Sequence, residues 1–160
     1  MSKRSGSDVL LENRKARFLY FLSDFMVAGL VLTGTEIKSL RQRNASLSDS
    51  YVQIKNGEAW LCNMHIAPYR EGTIFNVDHL RERKLLLTKH ELKKLISHLK
   101  GSGTSTTCVP TKVFLQRGYA KVEIALAVGK KAHDKRDAIR ERDTKREISK
   151  AMRTGTKTGD

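Results

Sequence analysis

The stretch SYVQIKNGEAWLC, residues 50–62, constrains the fold more than any other part of the 160-residue chain. Asn56-Gly57 is the preferred pair for a two-residue type I′ turn, because both residues tolerate positive φ. Such a turn aligns Lys55 with Glu58, Ile54 with Ala59, Gln53 with Trp60 and Val52 with Leu61. Val52, Ile54, Ala59 and Leu61 then share one face, which is expected to be buried. The other face is mixed, carrying Tyr51, Gln53, Trp60 and Cys62. A slip of one residue would turn every apolar side chain to water, so faces this unlike hold the register. The hairpin commits this part of the chain to an antiparallel sheet.

A second hairpin is expected in residues 107–128, TCVPTKVFLQRGYAKVEIALAV, turning near Arg117-Gly118. Val122, Ile124, Leu126 and Val128 alternate there with Lys121, Glu123, Ala125 and Ala127, the pattern of a half-buried strand. The apolar and aromatic run from Ala16 to Leu32, interrupted at Ser23-Asp24, predicts two strands. Two helices are expected between the strands. Thr33 and Glu36 form a capping box before a short helix that sets Ile37 and Leu40 on one face, Lys38 and Arg41 on another. Thr88 and Glu91 repeat the motif ahead of an apolar stripe of Leu92, Leu95, Ile96 and Leu99, stopped by Gly101 and Gly103. Residues 63–83 between these parts are irregular, and residues 1–12 are a flexible basic leader. The fold class is therefore mainly β with flanking helices (α+β). An OB-like antiparallel barrel over residues 13–128 is expected, because six or so short strands leave exposed edges unless the sheet closes. Residues 129–160 form a basic tail, disordered or helical.

Charge points to the partner. The chain carries 31 Lys or Arg against 17 Asp or Glu, a formal net charge of +14, far more than solubility needs. The self-repulsion is relieved by a polyanion, and nucleic acid is the first class to consider. No run of about 18 apolar residues is present, and MSKRSGSDVL lacks the apolar centre of a secretion signal. Cys62 and Cys108 have no CxxC spacing, so two buried free thiols in a reducing, cytoplasmic setting are expected. Several aromatics (Phe18, Tyr20, Tyr51, Trp60, Tyr69, Phe75, Tyr119) are mostly core candidates, with one or two rings available to stack on unpaired bases.

Catalytic signals are absent by comparison. His65, His79, His90, His98 and His133 form no HExxH pair, and no GxSxG, P-loop or strand-borne GxGxxG occurs. No metal site and no cofactor is expected. RERK at 81–84 is a basic cluster ahead of an apolar strand-like run; alone it reads as a solvated loop face, and it points to RNA only in sum with the other basic groups. The segment GKKAHDKRDAIRERDTKREISKAMR, residues 129–153, holds ten Lys or Arg and five Asp or Glu but no continuous apolar stripe. A helix polar on nearly every side has no core to join. Such a segment suits ordering against RNA phosphates.

The blocks GTEIKSLR, SLSDSYVQIKNGEAWL, NMHIAPY, FNVDHLRERKLLLTKHEL, AKVEIALAVGKKAHDKR and RERD, in that order, closely resemble the SmpB (small protein B) family of bacterial transfer-messenger RNA-binding proteins. The likeness covers about residues 13–152. It implies a non-catalytic adaptor of trans-translation, monomeric when free. Such an adaptor binds the tRNA-like domain of transfer-messenger RNA (tmRNA) and brings it to stalled ribosomes. Its tail enters the empty mRNA channel by small-subunit rRNA at the decoding centre. By the same resemblance Lys38, Arg41, Arg83, Lys84, Leu86 and Lys121 match the RNA-binding face. Gly129, Lys130 and Lys131 match the tail junction, and His133, Asp134, Lys135 and Arg136 the decoding-centre segment. Ile148 and Met152 fall at the tail's apolar anchors. The chain departs from the family at Val27, where an acidic residue is usual, and at Thr88, where some members have Asn. The residues alone leave two alternatives: a general ribosomal or rRNA-binding protein, and a basic RNA-processing enzyme.

Overall fold

The computed structural model describes residues 8–72, 76–101, 106–131, 136 and 139–148. In chain order the elements are β1 (Asp8–Glu12), α1 (Arg14–Leu19), β2 (Tyr20–Leu30), α2 (Gly34–Arg41), β3 (Ala45–Ser46), β4 (Tyr51–Lys55), β5 (Glu58–Cys62), β6 (His65–Ile66), β7 (Arg83–Leu86), α3 (Lys89–Gly101), β8 (Thr106–Gln116) and β9 (Tyr119–Gly129). A further helix covers residues 139–148. Backbone contacts divide the chain into two units, Met1–Gly129 and Lys130–Asp160.

Seven strands form one sheet in the order β1-β8-β9-β2-β7-β5-β4, with every ladder antiparallel. β3 and β6 pair separately. The hairpin at Asn56-Gly57 has the register expected from its turn chemistry, including Lys55 opposite Glu58 and Val52 opposite Leu61. Its turn residues have φ of 52° and 72°. The second hairpin turns at Arg117 and Gly118, with φ of 52° and 81°. The sheet curls without closing: β1 and β4 remain its two edges, and β4 packs near β8 with no ladder between them. Both edge strands are only five residues long, which limits the unpaired backbone they present.

Two expectations need correction. Residues 8–12 are not part of a free leader. They form β1 against β8, with Asp8 opposite Leu115, and Leu10 and Leu11 pack on the core. The run from Ala16 to Leu32 is one short helix followed by one long strand, not two strands. Asn13 starts α1: its Oδ1 accepts the Ala16 N–H at 3.1 Å while its Nδ2 donates to the Pro110 carbonyl at 2.9 Å. The Ser23-Asp24 interruption is a bulge within β2, where Asp24 takes φ 50°.

The core gathers Met26, Ala28, Leu30, Leu40, Leu61, Leu85, Leu95, Val113, Val122 and Ile124 from strands and from both capped helices. Each fully buried Leu or Val contributes about 1.5–3 kcal/mol. Ala16 of α1 covers Val109 and Ala127 on the outer side of the sheet, which is why Ala127 is buried as well as its alternating neighbours. Val128, expected inside by alternation, is 39% exposed opposite Phe21. Cys62 and Cys108 are free and buried, and burial pushes the Cys108 thiol up to about 12, which keeps it protonated and unreactive.

Candidate nucleic-acid interface

β7, β2 and β9 lie side by side, and their outward residues form a mixed apolar and basic face. Gly29 on β2 is the pivot, paired with Leu86 on one side and Lys121 on the other. Cross-strand partners point to the same face of a sheet, so Leu86 and Lys121 flank a position with no side chain. A Cβ at Gly29 would meet the Leu86 Cβ at 3.2 Å; glycine leaves room for Leu86 to lie against the strand while 56% exposed. Val27, two residues earlier, is 46% exposed and pairs with Glu123. Lys84 is two residues before Leu86 and shares its face. It meets Glu58 at 3.1 Å, an exposed pair readily exchanged for a phosphate. Glu123 is occupied: Lys112 lies 3.4 Å away and the Thr111 hydroxyl donates to it at 2.9 Å. Lys121 has no ion pair among the described residues.

Arg83 does not belong to this face. Strand alternation that turns Lys84 and Leu86 outward turns Arg83 and Leu85 inward, and Arg83 is wholly buried. Its Nε donates to Glu36 Oε2 at 2.6 Å, its Nη1 to the Met64 carbonyl at 2.6 Å and its Nη2 to the His79 carbonyl at 3.4 Å. Arg81 Nη2 donates to the other Glu36 oxygen, which also accepts the Thr33 N–H at 2.9 Å in the capping box. Burial by itself would raise the Glu36 pKa. Hydrogen bonds from Arg81, Thr33 and Arg83, with the Arg83 charge, outweigh it and hold the carboxyl below its ordinary value. The Glu36 carboxylate and two arginines thus tie the connection between β6 and β7 to α2. The capping box was legible in sequence; the second use of its glutamate was not.

Lys38 and Arg41 are exposed on α2, held outward because Glu36, Ser39 and Leu40 face in. Lys38 Nζ sits 5.4 Å from the centre of the Tyr69 ring. Of the other aromatics, Tyr51 and Tyr119 are exposed, and so are Phe21 and Phe25, the latter just past the Asp24 bulge that breaks the alternation. Phe75 lies outside the described residues.

In the tail unit, Arg136 and every residue of helix 139–148 are exposed, Ile148 to 50%. Gly129 closes β9 opposite Tyr20; Lys130 is half-buried and Lys131 exposed. His133, Asp134, Lys135 and Met152 lie outside the described residues. Among those described, no group of three or more His, Cys, Asp or Glu is placed to hold a metal, and no helix is long and apolar enough to cross a membrane.

The family model for the SmpB protein matches residues 10–154. The SsrA-binding protein of Streptococcus pyogenes is 52% identical over 153 residues, covering 96% of this chain and 97% of that one. That of Limosilactobacillus reuteri is 48% identical over 157 residues, covering 96% and 99%. A solved chain described as "tmRNA-SmpB: a journey to the center of the bacterial ribosome" is 46% identical with a TM-score of 0.65, over 82% of this chain and 94% of that one. With the match spanning the antiparallel sheet, both capped helices and the tail junction, the chain belongs to the SmpB family.

Proposed function

We propose that this protein is a non-catalytic RNA-binding adaptor for trans-translation, acting in the cytoplasm as a monomer when free. It binds the tRNA-like domain of tmRNA, carries it to stalled ribosomes, and lays its tail in the empty mRNA channel near the decoding centre. The observation that carries this reading is the near full-length match to SsrA-binding proteins. The outer face of β7, β2 and β9 supplies a place for the RNA: Leu86 and Val27 give apolar contact, while Lys84 and Lys121 meet phosphates. Lys38 and Arg41 extend the contact onto α2. Arg83 supports the face from inside and touches no phosphate. Residues 8–129 act as the grip and 130–160 as the ribosome-directed tail, with Gly129, Lys130 and Lys131 as the joint. Residues 133–136 serve as the first ribosomal contact, and Ile148 and Met152 as apolar anchors.

Titrating the protein with the isolated tRNA-like domain across a salt series tests the assignment. Lys121→Ala is expected to lower the slope of log affinity against log salt by about 1, the signature of one lost phosphate contact. Leu86→Asp is expected to weaken binding by about tenfold or more, since it sets a carboxylate against phosphate. Equal affinity for naked small-subunit rRNA would favour a general ribosomal protein instead. RNA cleavage on long incubation with Mg²⁺ would overturn the non-catalytic reading.

A further inference from the structure

Residues 67–72, Ala-Pro-Tyr-Arg-Glu-Gly, leave β6 as a short loop that is fixed at several points. The Ala67 N–H donates to the Asn44 carbonyl at 2.8 Å, and the Gly72 N–H to the Tyr69 carbonyl at 2.9 Å. The Asn76 carboxamide brackets Tyr69: its Oδ1 accepts the Tyr69 N–H and its Nδ2 donates to the Tyr69 carbonyl, both at 2.9 Å. The phenol donates to Glu71 Oε2 at 3.1 Å, and the Lys38 ammonium lies 5.4 Å from the ring centre. Gly72 lets the loop close on α2, because a Cβ there would meet Thr35 Cγ2 at 2.9 Å. Tyr69 is therefore held at its backbone, its hydroxyl and its ring.

The ring nevertheless stays half-exposed and lines two clefts. One, of about 520 Å³, is bordered by Gln42, Asn44, Pro68 and Arg70; the other, of about 420 Å³, by Thr35, Lys38 and Gly72. A ring positioned in advance loses little freedom when a flat partner stacks on it. Its neighbours suit a nucleotide. Lys38 and Arg70 are exposed cations, Gln42 and Asn44 offer amide donors and acceptors, and the Glu71 carboxylate already accepts from the phenol.

We propose that Tyr69 is a stacking platform for one unpaired nucleotide of the RNA partner, with Lys38 and Arg70 meeting the flanking phosphates and Gln42 and Asn44 the base edge. The inference rests on the RNA-binding reading above, but it uses α2 and the loop after β6, not the face of β7, β2 and β9. Base-on-aromatic stacking tolerates any base, so the platform adds affinity for unpaired RNA without demanding a sequence.

The test uses the full chain and an eight-nucleotide oligoadenylate, beside an abasic ribose-phosphate oligomer of equal length. Tyr69→Leu fills the space without a π face. It is expected to weaken oligoadenylate binding by about 5- to 150-fold and to leave abasic binding unchanged. Tyr69→Phe keeps the ring and is expected to retain binding. Lys38→Ala is expected to weaken both oligomers and to lower the salt slope by about 0.7. Unchanged oligoadenylate binding in Tyr69→Leu, or equal binding of the abasic oligomer by the parent, would overturn the platform. Binding of the tRNA-like domain is measured on the same samples. If the parent prefers that domain over naked rRNA while Tyr69→Leu has no effect on oligoadenylate, only the platform falls. If the preference is missing while the Tyr69→Leu effect is present, the adaptor reading falls and the platform stands.

Discussion

A chain ending at Gly129 is expected to bind the tRNA-like domain within a few-fold of the full protein, yet to support no tagging on stalled ribosomes. Residues up to Gly129 contain the whole sheet, its core, and the Leu86 and Lys121 face. The tail stretch 129–153 holds ten basic and five acidic residues of a chain with net charge +14, so its removal lowers the general attraction to any RNA. The two roles separate by salt. Neutralising about six to ten phosphates costs roughly 10³–10⁵ in affinity between 50 and 200 mM salt for duplex DNA, with a shallower slope for single strands. The truncated chain should keep a steep slope with the tRNA-like domain, reduced only by the contacts the tail made. Filter binding at several salt concentrations gives the first result, and tagging on a message without a stop codon the second. Collapse of binding on truncation would show that the tail is part of the grip.

Glu36→Gln is expected to lower the unfolding free energy by about 3–5 kcal/mol, because it leaves the buried Arg83 guanidinium without a counter-charge. In a domain of this size that is a fall of about 10–20 °C in melting temperature. Replacing both residues, Glu36→Leu with Arg83→Met, should recover much of the loss, since a removed pair leaves no uncompensated charge. Lys84→Ala, which breaks only the exposed pair with Glu58, should change stability by less than about 1 kcal/mol. The pH dependence has a definite sign. The Glu36 carboxyl is held below its ordinary 4.5 in the folded protein. Its contribution is full above that value and is lost as pH falls through the lower folded pKa. Urea unfolding between pH 7 and pH 3 should therefore show an acid-side decline that Glu36→Gln flattens. An unchanged decline in the variant would assign it to other carboxylates.

Local chemistry carried the reading of the sequence a long way. Asn56-Gly57 specified a turn, and the turn specified four residue pairs. Thr33 with Glu36, and Thr88 with Glu91, marked the starts of α2 and α3, because a hydroxyl and a carboxylate at that spacing satisfy backbone groups of the same turn. The order of the motif blocks was enough to recognise the family. Leu86, Lys84 and Lys121 were named from that resemblance, and they prove to share one face.

Arg83 lies beyond what local signals decide. The family resemblance groups it with Lys84 and Leu86, although alternation in a strand allows only one parity to face outward. Which parity is inward depends on where Leu61, Leu85 and Val122 gather, and no local signal says so. β1 carries no local strand signal for a similar reason: its partner on β8 lies about a hundred residues away in the chain. Phe25 and Val27 reach solvent beyond a bulge at Asp24, an irregularity that shifts the period of every residue after it. The Lys38 and Tyr69 contact joins a helix to a loop more than thirty residues later. The sequence by itself determined the two hairpin turns, the caps of α2 and α3, the period of the hairpin strands, the charge and the family, because each is set by neighbours along the chain. Only the tertiary structure decided which arginine is buried, which apolar residues meet solvent and which ring is held ready at the surface. Those outcomes depend on side chains brought together from distant segments, whose packing decides which face of each element meets water.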